Sequence, residues 1–481
     1  MKRVAVVLGI LAVLLVLAGV AILVLVDVNA HKPRIEAAVS DALGMEFRIL
    51  GKAALRLAPS ASISLSDVRL RNRGTDLATA ESLRVGVLLR PLLRREVAVT
   101  EIVLEKPVLR IEKGADGKFN YETVPRPKKT PAGEGAAAGA PLAVASGSVR
   151  DGRLIFEDRK EGTKTELSGV ELSIRDLSIP TAPDAPMIRG LSFLGTLRFA
   201  ELSSKELSVS DVDAAVSASG GIYDIRPFTM KLFGGKGEGG IRVDLSKERA
   251  DVQVKYALSK FRAEESLAVV SRKKFLSGPL TIEPDLSFHG KGAAEMKRTL
   301  RGRLSLRGEG LTLHGMDVDA VLSKVEEAQK LNLADVGAFL LAGPLGSAAV
   351  KGYRFGGVYG TAAREGESRV TRLVSDWTVR DGIAHARDVA FSTPRNRIAL
   401  AGRLDLVNER FVDVTVAVLD EKGCAKVRQK ISGPFSDPTV DKVSVIQSAA
   451  ASVIGLFERA KRLIGASRCE PFYTGSVPHP G

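Results

Sequence analysis

Five histidines, two cysteines and one glycine-rich run are the residues whose types could support chemistry, and their spacing argues against most of it. His31, His289, His314, His385 and His479 are dispersed along 481 residues. None stands in a His-Glu-x-x-His run and no Cys-x-x-Cys pair supplies thiolates, so no metal site is indicated. Each reads as a surface or strand-end residue. Gly235, Gly237 and Gly240 satisfy G-x-G-x-x-G, a run that in dinucleotide-binding folds leads into a helix whose N–H groups hold the pyrophosphate. Here it leads into the alternating Ile241-Arg242-Val243-Asp244-Leu245, and it reads as a hairpin turn. There is no Gly/Lys phosphate loop and no G-x-S-x-G elbow. Carboxylates fall on polar strand faces, and nothing marks a pair for acid–base work. The expectation is a protein that is not an enzyme and takes no cofactor, with an undetected hydrolase as the alternative.

Cys424 and Cys469 are the two thiols. In an oxidising compartment they most simply pair, closing a loop of about 45 residues; two unpaired thiols are the alternative.

Val4 through Val26 are uncharged and almost wholly apolar, with Lys2 and Arg3 before them and Asp27 after. As a helix this run reaches about 34 Å, against a hydrocarbon core of about 30 Å. The N-terminal cations favour a cytoplasmic start for residues 1–3, which puts the bulk of the chain on the far side of a membrane. Val28-Asn29-Ala30 loosely fits a signal-peptidase site, but signal cores run about 7 to 15 residues, so an anchor at 4–26 is expected. Net charge is +14 and pI about 9.7, which suits an anionic membrane surface for an anchored chain. Basic residues are interleaved with acidic ones and aromatics make up only 5%; platforms for stacking bases are absent, and nucleic acid is not an expected partner.

The elements that would hold any site are mostly strands. Lys32 to Leu43 predicts a short helix with Ile35, Ala38, Val39 and Ala42 on one face, stopped by Gly44. Beyond it the period is two: Leu83, Val85, Val87 and Leu89; Val252, Val254, Tyr256 and Leu258; Ile398, Leu400, Gly402, Leu404 and Leu406; Val412, Val414, Val416 and Val418. Strands apolar on one face and polar on the other belong to antiparallel sheets wetted on one side. The chain also echoes itself. Leu65-Ser66-Asp67-Val68-Arg69-Leu70 returns as Leu167-Ser168-Gly169-Val170-Glu171-Leu172, and Val149-Arg150-Asp151-Gly152 as Val379-Arg380-Asp381-Gly382. Gly195, Gly239, Gly302 and Gly402 each precede alternating apolar residues. The irregular spacing predicts a long meander and no solenoid of constant period.

The expected organisation is a β domain at 27–124, a flexible linker at 125–147 that marks a subdomain boundary, a central β-meander at 148–318, a helical segment at 319–343 capped by Asp319, a second β domain at 344–440, and a C-terminal helix and tail at 441–481. In the last of these, Val453, Leu456, Phe457, Ala460 and Ile464 share a face.

The first 121 residues resemble the AsmA family of envelope proteins from bacteria with two membranes. The likeness lies in the order and spacing of Pro33-Arg34-Ile35-Glu36, Leu43-Gly44, Leu55-Arg56-Leu57-Ala58-Pro59, Leu65 to Leu70, Ala80-Glu81-Ser82-Leu83, Pro91-Leu92-Leu93, Glu105-Lys106-Pro107-Val108-Leu109 and Asp116 to Tyr121. His31-Lys32-Pro33 departs from the family's Phe-Arg-Pro, and Tyr121 from its Trp. Gly402 to Asp437 is similar to the family's C-terminal region, and the tail Cys469 to Ser476 resembles that of some members.

The resemblance implies a mainly β fold: an N-terminal transmembrane helix, then an elongated, curved antiparallel sheet with a few short helices, whose concave face is a hydrophobic groove. A long sheet of alternating strands with few aromatics and little helix has little else to set against its apolar face, and acyl chains would serve. Leu83, Val85, Val87, Val252, Val254, Leu404, Leu406, Val414 and Val416 are the expected lining; an ordinary sandwich core is the other reading of the same residues. The implied protein sits in the inner membrane by a single pass with its bulk in the periplasm. It binds or conducts phospholipid, with the membrane and envelope proteins as partners, in support of outer-membrane construction and lipid homeostasis. A scaffold for outer-membrane protein assembly with a dry core is the alternative. Arginine at Val254 or Val416 is expected to block the groove while leaving the fold intact.

Overall fold

A computed structural model describes residues 29, 32–56, 61–72, 74–88, 99–121, 142–180, 187–205, 207–269, 275–315, 317–323, 366–442, 444–445 and 469–480. The expected membrane helix 4–26, Leu89, most of the linker, the helical segment past residue 323 and the stretch 453–464 lie outside them. Among the described residues no helix is long and apolar enough to cross a membrane. The chain divides into two compact units, Met1–Lys231 with Arg242–Lys247 and Leu232–Ile241 with Glu248–Gly481. The division therefore does not fall at 125–147, and Leu142 to Gly147 already belong to a strand.

The first unit opens with helix α1 (Lys32–Leu43), which ends where expected because Gly44 takes φ 64°. Ile35 and Val39 are buried. Glu36 and Ser40 accept the backbone N–H groups of Ile49 and Phe47 at 2.7 and 2.9 Å, tying the helix to the first strand. The strands are β1 (Glu46–Ile49), β2 (Ala53–Arg56), β3 (Ala61–Asn72), β4 (Thr75–Val87), β5 (Val99–Glu105), β6 (Val108–Lys113), β7 (Leu142–Asp158) and β8 (Thr163–Ile179). After the short α2 (Met187–Gly190) come β9 (Ser192–Ser203), β10 (Ser208–Ser219) and β11 (Ile222–Leu232). Most ladders are antiparallel, with one departure from the expected meander: β7 runs parallel to both β5 and β6. A parallel return needs a long crossover, which is the task of the long β6–β7 connection.

The sequence echoes mark a phase slip. Asp67, Asp151 and Asp211 sit within β3, β7 and β10 at φ 48°, 50° and 51°, Gly169 sits within β8 at 62°, and Lys106 joins β5 to β6 at 46°. On three of these strands the apolar residues flanking the slip are three apart: Leu65 and Val68, Leu167 and Val170, and Val209 and Val212. Three residues of regular strand would put them on opposite faces. The left-handed residue corrects the phase and keeps both on the same face. Registers place the slips side by side. Asp67 lies between the pairs Ser66↔Ser82 and Val68↔Ala80, Lys106 bonds the Arg150 carbonyl at 2.8 Å, and Asp211 lies between Ser210↔Glu201 and Val212↔Phe199. The break between β1 and β2 falls on the same line, where Leu50 N–H donates to the Asp67 carbonyl at 2.9 Å. A crease thus crosses the strands of this unit.

The second unit contains β12 (Gly235–Asp244) in part, β13 (Ala250–Arg262), α3 (Ala263–Ala268), β14 (Leu276–Ser277), β15 (Pro279–Gly290), α4 (Ala293–Thr299), β16 (Arg301–His314) and α5 (Val318–Ser323). It continues with β17 (Glu367–Arg380), β18 (Ile383–Ser392), β19 (Arg397–Asp405), β20 (Arg410–Leu419), β21 (Ala425–Pro434), β22 (Thr439–Val440) and β23 (Ser444–Val445). Among the described residues its ladders are all antiparallel, from β13–β15 through β20–β21. Two local expectations are corrected. The glycine run is not a turn: the turn lies at Phe233 and Gly234, with φ 52° and 73°, and Gly235 to Gly240 are strand. A β-carbon on Gly237 would collide with the Tyr256 phenol, so glycine is there to admit an aromatic ring. The cap of α5 is Asp317, which accepts the Ala320 N–H at 2.9 Å, while Asp319 accepts from Thr393 and Asn396 at 2.5 and 2.7 Å.

The tail, Cys469 onward, lies on the outer face of this unit. Ala390, Ala399 and Ala417 stand in one cross-strand row, and Tyr473 and Val477 bury against it. Arg397 stacks on the Tyr473 ring at 5.7 Å and donates to the carbonyls of Val477 and Asp420 at 3.3 and 2.8 Å. A disulfide joins Cys424 to Cys469 across 45 residues, a loop whose closure is worth about 4 kcal/mol in the chain-entropy account.

The crease yields a stability prediction. At Asp67 a β-branched residue must adopt a left-handed conformation that costs roughly 1–2 kcal/mol, so Asp67→Val lowers the unfolding free energy by about that much, whereas Asp67→Gly costs much less. Denaturant unfolding of the two variants separates these outcomes; equal losses would show that φ at Asp67 is not the constraint.

Candidate functional site

Registers in the first unit align apolar residues from strand to strand. One row runs Ala53, Leu65, Leu83, Leu104, Val149, Leu172, Leu197, Ala214, each opposite the next. Across the crease a second row runs Phe47, Leu70, Ala78, Leu109, Leu154, Leu167, Leu202, Val209. Seven strand spacings of about 4.8 Å make each row roughly 34 Å long. Both rows look to the same side, because the phase slip between them restores the face that regular pleating would lose.

Burial changes along the rows. At the α1 end Ala53, Leu65 and Leu83 are buried with Ile35 and Val39 in one cluster. Farther on, Leu172, Leu197 and Phe199 are only half-buried and belong to no buried cluster of the described residues. Their chain neighbours Ser173, Thr196 and Arg198 are exposed on the other face, where Arg198 pairs with Asp213 at 2.9 Å. Between the two regimes lies a cleft of about 270 Å³. Its walls come from both rows, with Leu83, Leu104 and Val149 on one side of the crease and Leu70, Leu109, Leu154 and Leu167 on the other. Leu43 at the end of α1 also contributes. Arg69, Thr79 and Arg153 are the polar residues in its lining. A concave surface so poor in hydrogen-bonding groups can hold hydrocarbon and has little with which to orient a polar substrate.

The residues expected to line a groove fall into three settings. Leu83, Val85 and Val87 are buried in the first unit, and Leu83 borders the cleft. Val252 and Val254 are half-buried on β13, opposite Phe288 and Leu286. Leu404, Val414 and Val416 are fully buried and Leu406 nearly so, inside the large core of the second unit with Phe391, Phe411 and Trp377. There the strands are closed over by packing, and the alternation that named these residues does not distinguish a groove wall from a core. Sequence reading missed Leu104, Leu154, Leu167, Leu172 and Leu197; of these Leu167 alone carries a local signal, the apolar pair with Val170 three apart around Gly169, and the others are found by strand register.

One polar chain has the outline of a nucleophilic site. Ser277 Oγ lies 2.8 Å from His314 Nε2, and His314 Nδ1 lies 2.8 Å from Glu367 Oε1. The Glu367 side chain is 65% exposed. The N–H after the serine, on Gly278, donates to Glu264 Oε2 at 2.9 Å, so a carboxylate occupies the place where an oxyanion would be stabilised. This trio does the work of a cross-strand polar contact: His314 and Glu367 are direct partners in the β16–β17 ladder. Among the described residues no group of His, Cys, Asp and Glu could hold a metal ion.

The family model described as "AsmA family" matches residues 1–196 and again 194–345. No curated protein and no solved structure matches the chain.

The burial pattern separates two substitutions that the sequence treats alike. Val416→Arg places a charge in a closed core, at a cost of several kcal/mol, and is expected to abolish cooperative folding. Val254→Arg sits on a half-open face, where the side chain can reach water, and is expected to leave the thermal midpoint nearly unchanged. Circular dichroism melts of both variants check this; a well-folded Val416→Arg protein would mean that the second unit's core is open.

Proposed function

Because this chain belongs to the AsmA family, we propose that it is an envelope protein, anchored in the inner membrane by residues 4–26 with its bulk in the periplasm, that carries phospholipid tails on the apolar rows of its first unit. The role so served is outer-membrane construction and lipid homeostasis. The observation that carries the reading is the apolar cleft on the crease, continued by the half-open residues Leu172 and Leu197.

Energetics favour carriage without catalysis. Each methylene removed from water is worth about 0.8 kcal/mol, but a tail leaving a bilayer was already out of water. Exchange between bilayer and protein is therefore close to neutral, and net flow follows a gradient or an external energy source. The scaffold reading retains one supporting observation: the closed core of the second unit, in which Val414 and Val416 are wholly buried, needs no lipid to complete it.

Lipid extraction from the purified full-length protein, with quantitation by mass spectrometry, tests the proposal. Phospholipid near or above one per chain is expected, and a Leu172→Arg, Leu197→Arg double variant of unchanged thermal midpoint should lose most of it. Lipid-free wild-type protein, or a double variant that retains its full complement, would rule the proposal out and leave the scaffold.

A further inference from the structure

Two strands of the second unit carry cations at alternate positions of the polar face, and they differ in what stands opposite. On β16, Arg301, Arg303 and Arg307 each meet a carboxylate, Asp381, Asp285 and Asp376, at 3.3 Å. On β21, Lys426, Arg428 and Lys430 are all exposed. Arg428 faces Ala417 on one side and Ser444 on the other, and Lys430 faces Thr415. Among the described residues none of the three is ion-paired. The alternation is fixed from beneath, since Gln429 and Ile431 are buried and Gln429 donates to the Asp441 carbonyl at 2.8 Å. Like charges about 7 Å apart along a strand repel; among the described residues nothing compensates this repulsion on β21, whereas carboxylates cancel it on β16.

We propose that the outer face of β21 is a docking surface for an anionic bilayer, with Lys426, Arg428 and Lys430 set against lipid phosphates. The row spans about 14 Å on an open strand face, a shape that suits a plane of phosphates. It has no aromatic side chain interleaved for stacking on bases. The neighbouring tail packs on the Ala390, Ala399 and Ala417 row of the same face. At an anionic surface each cation raises partitioning about fivefold, so three together contribute on the order of a hundredfold. The inference stands apart from the lipid-carriage reading, because it concerns the outer face of the other unit.

Full-length protein in phosphatidylcholine nanodiscs is mixed with vesicles of equimolar phosphatidylcholine and phosphatidylglycerol, or of phosphatidylcholine alone, and co-flotation is measured. Wild type should float with the anionic vesicles at low salt, be released by high salt, and ignore the neutral ones. Lys426→Gln, Arg428→Gln and Lys430→Gln combined should weaken the association about a hundredfold, with thermal midpoint and extracted lipid unchanged. Equal flotation of wild type and triple variant overturns the proposal. So does a wild type that floats with neither vesicle, which would point the strip toward an acidic protein or nucleic acid.

Discussion

A strand shows alternate residues to alternate faces, so an apolar surface survives a bend in the strands only where the bend also corrects the phase. The first unit meets that condition on β3, at the joint of β5 and β6, and on β7, β8 and β10. Left-handed residues at Asp67, Lys106, Asp151, Gly169 and Asp211 slip the alternation by one, and the registers put the slips in line. The cleft and both apolar rows depend on this line. If one of the strands that carry a left-handed residue kept its regular pleat, one of its two apolar sets would turn to the polar face and break a row.

The two faces are then specialised by different physics. The polar face is laced by cross-strand pairs such as Arg198 with Asp213 and Arg84 with Glu105, which select register at little net energy because they remain in water. The inner face has almost no polar groups and discriminates by wetting alone. Such a surface offers hydrocarbon no polar group to select by, which is what the proposed carriage requires. The second unit uses strands of the same kind to another end: it closes one face into a core containing Leu404, Val414 and Val416 and covers the Ala390, Ala399 and Ala417 row of the other with a disulfide-tethered tail.

Local patterns were legible in the sequence and pairings were not. The helix Lys32–Leu43 with its Gly44 stop, and the alternating strands, follow from periods of 3.6 and 2. The Asp-containing echoes were visible as repeats, but their meaning needs the neighbouring strand to show that the slips coincide. The parallel course of β7 depends on a partner some 45 residues away, which no local pattern encodes. The glycine run at 235–240 reads as a turn because its requirement, the Tyr256 ring above Gly237, comes from another strand. Val252 and Val416 share one pattern and differ in burial, since what covers a face is a tertiary fact.

Photoreactive residues placed one at a time along β8 and β9, followed by cross-linking in cells, test most directly whether the creased face meets lipid. The account predicts lipid adducts with period two, at positions 172, 174 and 197 and not at 173 or 196. Adducts at none of these positions, or at all of them alike, would contradict it.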